Sequence, residues 1–472
     1  MNNEFIRAFA AGQLIIDCPR MELHQLAAVN PQVYRGRGML TLLSNEEFQL
    51  RMYVDKDDAA GLHPHHELMS AMRWIPGEVI PPDEYYTLSA TDLSGAEWTC
   101  AKMQAKLQGS QSGLVISGPL FDNLRYSVPD LSEVMPSEVK IYFFENLKVP
   151  YDQSTLIQTT FGSRKLSTEV QPCFASFDAN EFQFKVQKVD PDMGSTIIRI
   201  TSKSDEWPEA IETRVEEALR YVTFSPVEWC IVEKSIGCNR YGVVKSRISK
   251  VGSVFDGPID YQGLNIATDF WRLFVAYFQC VINHPDSNSY HDLSGQLFNV
   301  ISADTRQMDI VGLLVSIAVE GVLNSQYSSL AKPSGSFLRR LDVVEKVIRR
   351  LQCLDGGLTR RLVGALSSMR ASRPKDKLKV LVDNGVISQI MAKAWEKLRN
   401  TTAHAAVKID PDKAHEMWAH CNIVYAMLNR LVFQAIGYSG KYKDFSTSGW
   451  PMTDFRAVIL KENSLTGEEV LG

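Results

Sequence analysis

Arg399-Asn400-Thr401-Thr402-Ala403-His404 sets an arginine and a histidine with four residues between them, and a carboxamide directly after the arginine. Arginine presents a planar fork of donors that matches phosphate oxygens. Histidine titrates near neutral pH and so serves as acid or base. Together they suit attack of a ribose 2′-OH on its own phosphate without a metal. His404 would move the proton, Arg399 would stabilise charge on the phosphorane, and Asn400 would orient arginine or phosphate. In a straight helix, residues five apart lie about 140° apart. The two side chains therefore meet one phosphate only where the helix ends or bends, or where a second subunit supplies the partner group.

The elements around this stretch must place it. Residues 387–398 alternate as an amphipathic helix, and a second long helix is expected from Pro411 to Ile436. Its start carries Asp410 as N-cap with proline at the first helical position, and its end meets Gly437. Upstream, helical periodicity begins after Asp260. It covers Phe270–Phe278, Met308–Leu323, Phe337–Leu351 and Leu358–Met369, with turns at Pro333-Ser334-Gly335, Asp355-Gly356-Gly357 and Asn384-Gly385. Met308–Leu323 is nearly apolar all round and is expected to be buried. Before residue 255 the pattern is short apolar runs between turn residues. Gly38–Leu43 and Phe48–Val54 read as a strand pair, followed by Tyr85–Leu88, Glu97–Met103, Gly113–Gly118, Val139–Phe144, Phe182–Val189, Thr196–Thr201, Trp229–Glu233 and Val243–Lys250. Regular short strands suggest a sandwich or barrel-like domain, interrupted by one helix at Pro208–Val222. The fold class is thus multidomain α+β: a β-rich N-terminal domain (1–255), an all-α helical bundle (262–445) and a polar tail (446–472), with the linker near Val251–Gln262.

A chain of 472 residues is long enough for two or more domains. Its net charge of −5 gives no global attraction to nucleic acid, so any such surface must be a local patch. The eight cysteines show no CxxC spacing, which signals neither zinc nor a redox pair. No leader segment and no long apolar run is evident, so a reduced, cytoplasmic protein is expected. There is no P-loop, dinucleotide fingerprint or G-x-S-x-G elbow, and no cofactor or metal is called for.

Leu398–Ala405, on a helix of a helical bundle, resembles the signature of the HEPN superfamily, most closely its ApeA-like branch. Trp395 upstream fits that resemblance. So does Ile436-Gly437-Tyr438-Ser439-Gly440-Lys441-Tyr442-Lys443-Asp444, which is similar to the Gly-Tyr-rich tail of the branch. The likeness covers roughly residues 262–445, and the β-rich half is similar in type to the domains that accompany it. The resemblance implies a metal-independent endoribonuclease with Arg399, Asn400 and His404 in its site. It also implies a homodimer whose two motifs share one cleft, action against phage through abortive infection, and an N-terminal domain that senses a phage-derived trigger. No acid other than Glu396 stands near the motif in sequence. The competing expectations are a non-catalytic HEPN-type module that binds RNA, nucleotide or protein, and a structural protein whose β domain docks elsewhere.

Between Arg339 and Lys379 stand twelve basic residues against four acids. Arg339, Arg340, Arg349, Arg350, Arg360 and Arg361 are candidates for an RNA-backbone surface; a solvated helix face is the equal alternative. His63-Pro64-His65-His66 lacks a matching acid or cysteine cluster and reads as a surface loop. His415 and His420 flank Trp418 out of phase, with His415 close enough in sequence to reach the motif.

Overall fold

The computed structural model describes residues 1–42, 47–55, 79–110, 113–128, 135–144, 147–161, 164–190, 195–204, 206–246, 253–260, 267–286, 289–303, 307–351, 353–402 and 411–460. The chain divides into two compact units. One comprises Met1–Trp207 with Val227–Lys250, the other Pro208–Pro226 with Val251–Gly472.

The first unit opens with helix α1 (Asn3–Ala10), capped by the Asn2 side chain, which accepts from the Phe5 amide at 2.8 Å. The rest is sheet: β1 (Ile15–Gln25), β2 (Val33–Leu42), β3 (Phe48–Val54), β4 (Tyr86–Thr91), β5 (Glu97–Met103), β6 (Lys106–Ser110), β7 (Gly113–Pro119), β8 (Leu124–Val128), β9 (Met135–Phe143), β10 (Gln153–Phe161), β11 (Arg164–Ala179), β12 (Phe182–Asp190), β13 (Ser195–Ser202), β14 (Ile231–Gly237) and β15 (Asn239–Val244). All fifteen lie in one hydrogen-bonded order, β10-β11-β12-β13-β9-β14-β15-β8-β5-β4-β1-β2-β3-β7-β6. Every pairing is antiparallel. The expected β-rich character is present, and the strand pair around Asn45 pairs as β2 with β3, Gly38 opposite Met52. Pairing is continuous through one sheet, and the run β5-β4-β1-β2-β3-β7 also meets itself: Met103 at the end of β5 bridges Leu120 just after β7, and the Phe121 amide donates to Lys102 O at 3.0 Å.

Burial alternates along the strands as a one-sided sheet requires, for instance Phe48, Leu50 and Met52 inward on β3. Phe9 of α1 packs on Phe144 with ring centroids 4.7 Å apart. β1 carries an irregularity between Cys18 and Met21, where Pro19 has no amide hydrogen to give the ladder.

The second unit holds α2 (Ile211–Thr223), α3 (Ala267–Val281), α4 (Asp292–Ile301), α5 (Met308–Ser325), α6 (Gly335–Arg350), α7 (Gly356–Ser368), α8 (Pro374–Asp383), α9 (Gln389–Thr402), α10 (Pro411–Ala435) and a hairpin of β16 (Gly440–Lys443) with β17 (Met452–Phe455). Helix α2, which the sequence places as an interruption of the β half, belongs to this unit. Its Tyr221 ring stacks on Tyr277 of α3 at 4.7 Å. Buried ion pairs fix it further. Arg214 donates to Glu217 and to the carbonyls of Asp286 and Ser289, at 2.6 and 3.0 Å. Glu217 accepts from Ser294 Oγ at 2.6 Å and from the His291 amide at 3.2 Å. Burial pushes the Glu217 carboxyl up from its ordinary value, although Ser294 and Arg214 oppose this.

Helix α5 packs against α4, α8, α9 and α10. By length and composition it is apolar enough to cross a membrane. Here it is buried on one side through Val311, Val315, Val319 and Val322, while Ile310 and Ile317 stay exposed. Burial all round is therefore not observed. Helix α10 ends as expected. Gly437 has φ +70°, the Tyr438 amide donates to Phe433 O at 2.9 Å and the Gly437 amide to Gln434 O at 3.4 Å, the double closure that only a left-handed residue permits. Asp410, the expected N-cap, lies outside the described residues.

Candidate active site

Helix α9 runs four residues past the expected end at Leu398 and closes at Thr402. Nothing in Asn-Thr-Thr breaks a helix, and the hydroxyls of Thr401 and Thr402 donate to the carbonyls four residues back, Lys397 and Leu398, both at 2.9 Å. Arg399 and Asn400 thus stand in the last helical turn. His404 lies outside the described residues.

The buried face of α9 is Met391, Ala394, Trp395, Leu398 and Thr402, a 3–4 spacing that seats the helix. Trp395 is the anchor: its ring is fully buried and Nε1 donates to Ser316 O of α5 at 3.1 Å. Beneath the motif, Gly312 of α5 allows close approach. A Cβ there would meet Leu398 Cδ1 at 3.0 Å, Thr402 Cγ2 at 3.1 Å and Cys421 Sγ of α10 at 3.5 Å.

Arg399 lies on the exposed side of this seat. Its Nε and Nη2 both reach Glu320 Oε2 on α5, at 3.0 and 2.9 Å, and its guanidinium sits 5.6 Å from the Trp395 ring centroid. Glu320 is the acid of this site. Glu396, the nearest in sequence, pairs instead with Lys375 at 3.3 Å. Sequence reasoning missed Glu320 because it stands 79 residues from Arg399. The available signal was that it is the one charge in the otherwise apolar run 310–323. Asn400 is exposed on the same turn.

His415 is exposed on α10, and His420 Nδ1 lies 2.7 Å from Glu416 O. Trp418 between them stacks on Phe255 at 5.8 Å, a packing role. The tail residues fold into the β16–β17 hairpin: Tyr438 and Tyr442 are buried and pack on Phe433 at 5.0 and 5.4 Å. The segment 461–472, expected to fray, and His63, His65 and His66 lie outside the described residues. Among the described residues no three histidine, cysteine or acidic side chains gather as a metal site.

Arg339, Arg340, Arg349, Arg350, Arg360 and Arg361 are all exposed on α6 and α7. Arg349 is held by Glu345 at 2.7 Å, and Arg360 Nε donates to Gly356 O at 3.1 Å. Arg339, Arg340, Arg350 and Arg361 have no partner among the described residues.

Each unit also carries a hollow. In the helical unit, Glu217, Arg220, Tyr277, Tyr290 and Ser294 line a cavity of about 10 Å³, room for about one water. In the β unit, Arg20, Glu22, Arg35, Arg37, Ser89 and Thr91 line an open groove of about 350 Å³, with Arg35 paired to Glu22 at 3.1 Å. No family model, curated protein or solved structure matches this chain.

Proposed function

We propose that the chain is a metal-independent endoribonuclease of HEPN type. The observation that supports this most is the setting of Arg399. It is a half-exposed guanidinium on the last turn of a helix anchored by buried Trp395, held by Glu320 and followed at once by an exposed Asn400. A phosphate oxygen would be received by the guanidinium edge that Glu320 leaves open, while His404 transfers the proton of the attacking 2′-OH. Glu320 presets the fork and lowers the cost of orienting it. In this reading two copies contribute their motifs to one cleft, and the enzyme acts in the cytoplasm against phage. The β unit reads the trigger.

The test is incubation of purified protein with single-stranded RNA in EDTA, with product ends analysed. Cleavage leaving 2′,3′-cyclic phosphate is expected, and its loss in Arg399→Ala and in His404→Ala. Undiminished cleavage in both variants sinks the proposal. One observation favours a second reading, a non-catalytic RNA- or protein-binding module: two of the three Arg399 nitrogens are already engaged by Glu320. That reading expects RNA binding that survives His404→Ala, and no cleavage at any protein concentration.

A further inference from the structure

Helix α6 buries a single residue, Leu341, and α7 buries none. The two are tied to each other where Arg370, just after α7, bonds Asp342 at 2.7 Å and Glu345 at 2.9 Å in the middle of α6. The outward side of α6 then shows Val343, Val344, Val347 and Leu351, between 43% and 61% exposed. Their spacing of one, four and eight residues from Val343 keeps them on one stripe. Isolated exposed aliphatics need no explanation, but a contiguous stripe of them marks an interaction surface.

Charge narrows the partner. The two acids of α6 are consumed within the hairpin, Asp342 by Arg370 and Glu345 by Arg349 and Arg370. Arg339, Lys346 and Arg350 follow the stripe along one flank, and Arg340 lies at its start; none has a partner among the described residues. A second copy in an isologous contact would set this basic ridge against itself. RNA would satisfy the bases but leave the aliphatic stripe wet. The only aromatic residue from Gly335 to Arg370 is Phe337, half-buried, so no exposed ring is available for base stacking. An amphipathic helix with acidic flanks answers both features, its apolar face on the stripe and its carboxylates on the ridge.

We propose that the outward face of α6 is the docking site for an acidic amphipathic helix of a partner protein. The site is independent of the Arg399 chemistry. The probe is a labelled four-turn synthetic helix with leucines spaced for the stripe and glutamates on both flanks, titrated into the full-length protein by fluorescence anisotropy. Saturable binding is expected. It should weaken about tenfold or more in Val344→Asp/Val347→Asp and in Arg339→Glu/Arg350→Glu, and fall with added salt. These positions are exposed, and melting curves establish that the variants fold. The proposal is overturned if the peptide does not bind, or if both variants bind it as the wild type does. It is also overturned if the same peptide with lysine flanks binds equally. Two results would assign the face elsewhere and equally overturn it: an RNA oligonucleotide losing affinity in Arg339→Glu/Arg350→Glu while the peptide does not, or Val344→Asp/Val347→Asp dissociating a dimer in sedimentation velocity.

Discussion

At the scale of residues, Arg399 and Glu233 separate the proposed function from stability. The Arg399–Glu320 pair is partly exposed on both sides, and such pairs are worth less than about 1 kcal/mol. Arg399→Ala is therefore expected to leave the thermal midpoint nearly unchanged while RNA cleavage in EDTA falls about a hundredfold or more. A large drop in the midpoint would mean that the residue is structural. Glu233 offers the opposite case. It is buried among the Met1 amino group, Lys140 Nζ at 3.3 Å and Tyr126 OH at 3.1 Å. Burial alone would raise its carboxyl, but the Met1 ammonium, Lys140 and Arg240 outweigh burial and hold it below the ordinary 4.5. A depressed carboxyl contributes stability above 4.5 that is lost as pH falls through its folded value. Glu233→Gln should be less stable than the wild type near pH 7, and the gap in urea midpoint should close on acidification towards about pH 3. Arg399 and Asn400 could be singled out as candidates in the sequence because their chemistry and adjacency are local. Glu320 and Glu233 were not, because each acquires its partners only through tertiary contact.

Elements were legible where the period was clean and obscure where it was masked by charge. Short apolar runs between turn residues marked β2, β3, β5 and β12, near-continuous apolarity marked α5, an amphipathic pattern marked α9, and start and stop residues marked α10. Helix α8 hid because Pro-Lys-Asp-Lys-Leu-Lys reads as polar all round. Its Lys377 is in fact buried, with Nζ donating to Leu323 O at 3.1 Å and Asn324 Oδ1 at 3.0 Å. An ammonium at the C-terminal end of α5 is favoured by the helix dipole, a relation that no window along α8 reveals. Single-sheet pairing was equally invisible, since neighbours such as β9 with β14, or β3 with β7, are far apart in sequence. Among the helices, α9 depends most on one residue. Trp395→Ala removes a buried indole and leaves Ser316 O without its donor, and should cost about 3–5 kcal/mol. In urea unfolding the midpoint should shift strongly, and cleavage should fall with it because the turn carrying Arg399 loses its seat. A variant that unfolds like the wild type would show that α9 is held chiefly by other contacts.

For the whole molecule, the proposed chemistry requires one phosphate to meet both Arg399 and His404, which are five residues apart. Helix α9 closes at Thr402, between Arg399 and His404, so Arg399 and Asn400 face outward from its last turn. A second copy is one route to a composite cleft, and α5 supplies a surface for it. Ile310 and Ile317 are exposed two turns apart on α5, 39% and 52%, and Ile317 lies one turn before Glu320, the residue that holds Arg399. If two copies pair through this stripe, their Arg399 side chains come to the seam. Ile317→Asp would place a charge in that apolar contact, where an unpaired carboxylate is costly. It is expected to convert a dimer into a folded monomer in sedimentation velocity and to abolish cleavage. Mixing Arg399→Ala with His404→Ala subunits should restore part of the activity that each lacks alone, because a mixed pair still brings one intact arginine and one intact histidine to the shared cleft. A monomeric, fully active Ile317→Asp protein, or mixed subunits no more active than either parent, would instead place a complete site on each chain and would require Arg399 and His404 to converge within one copy.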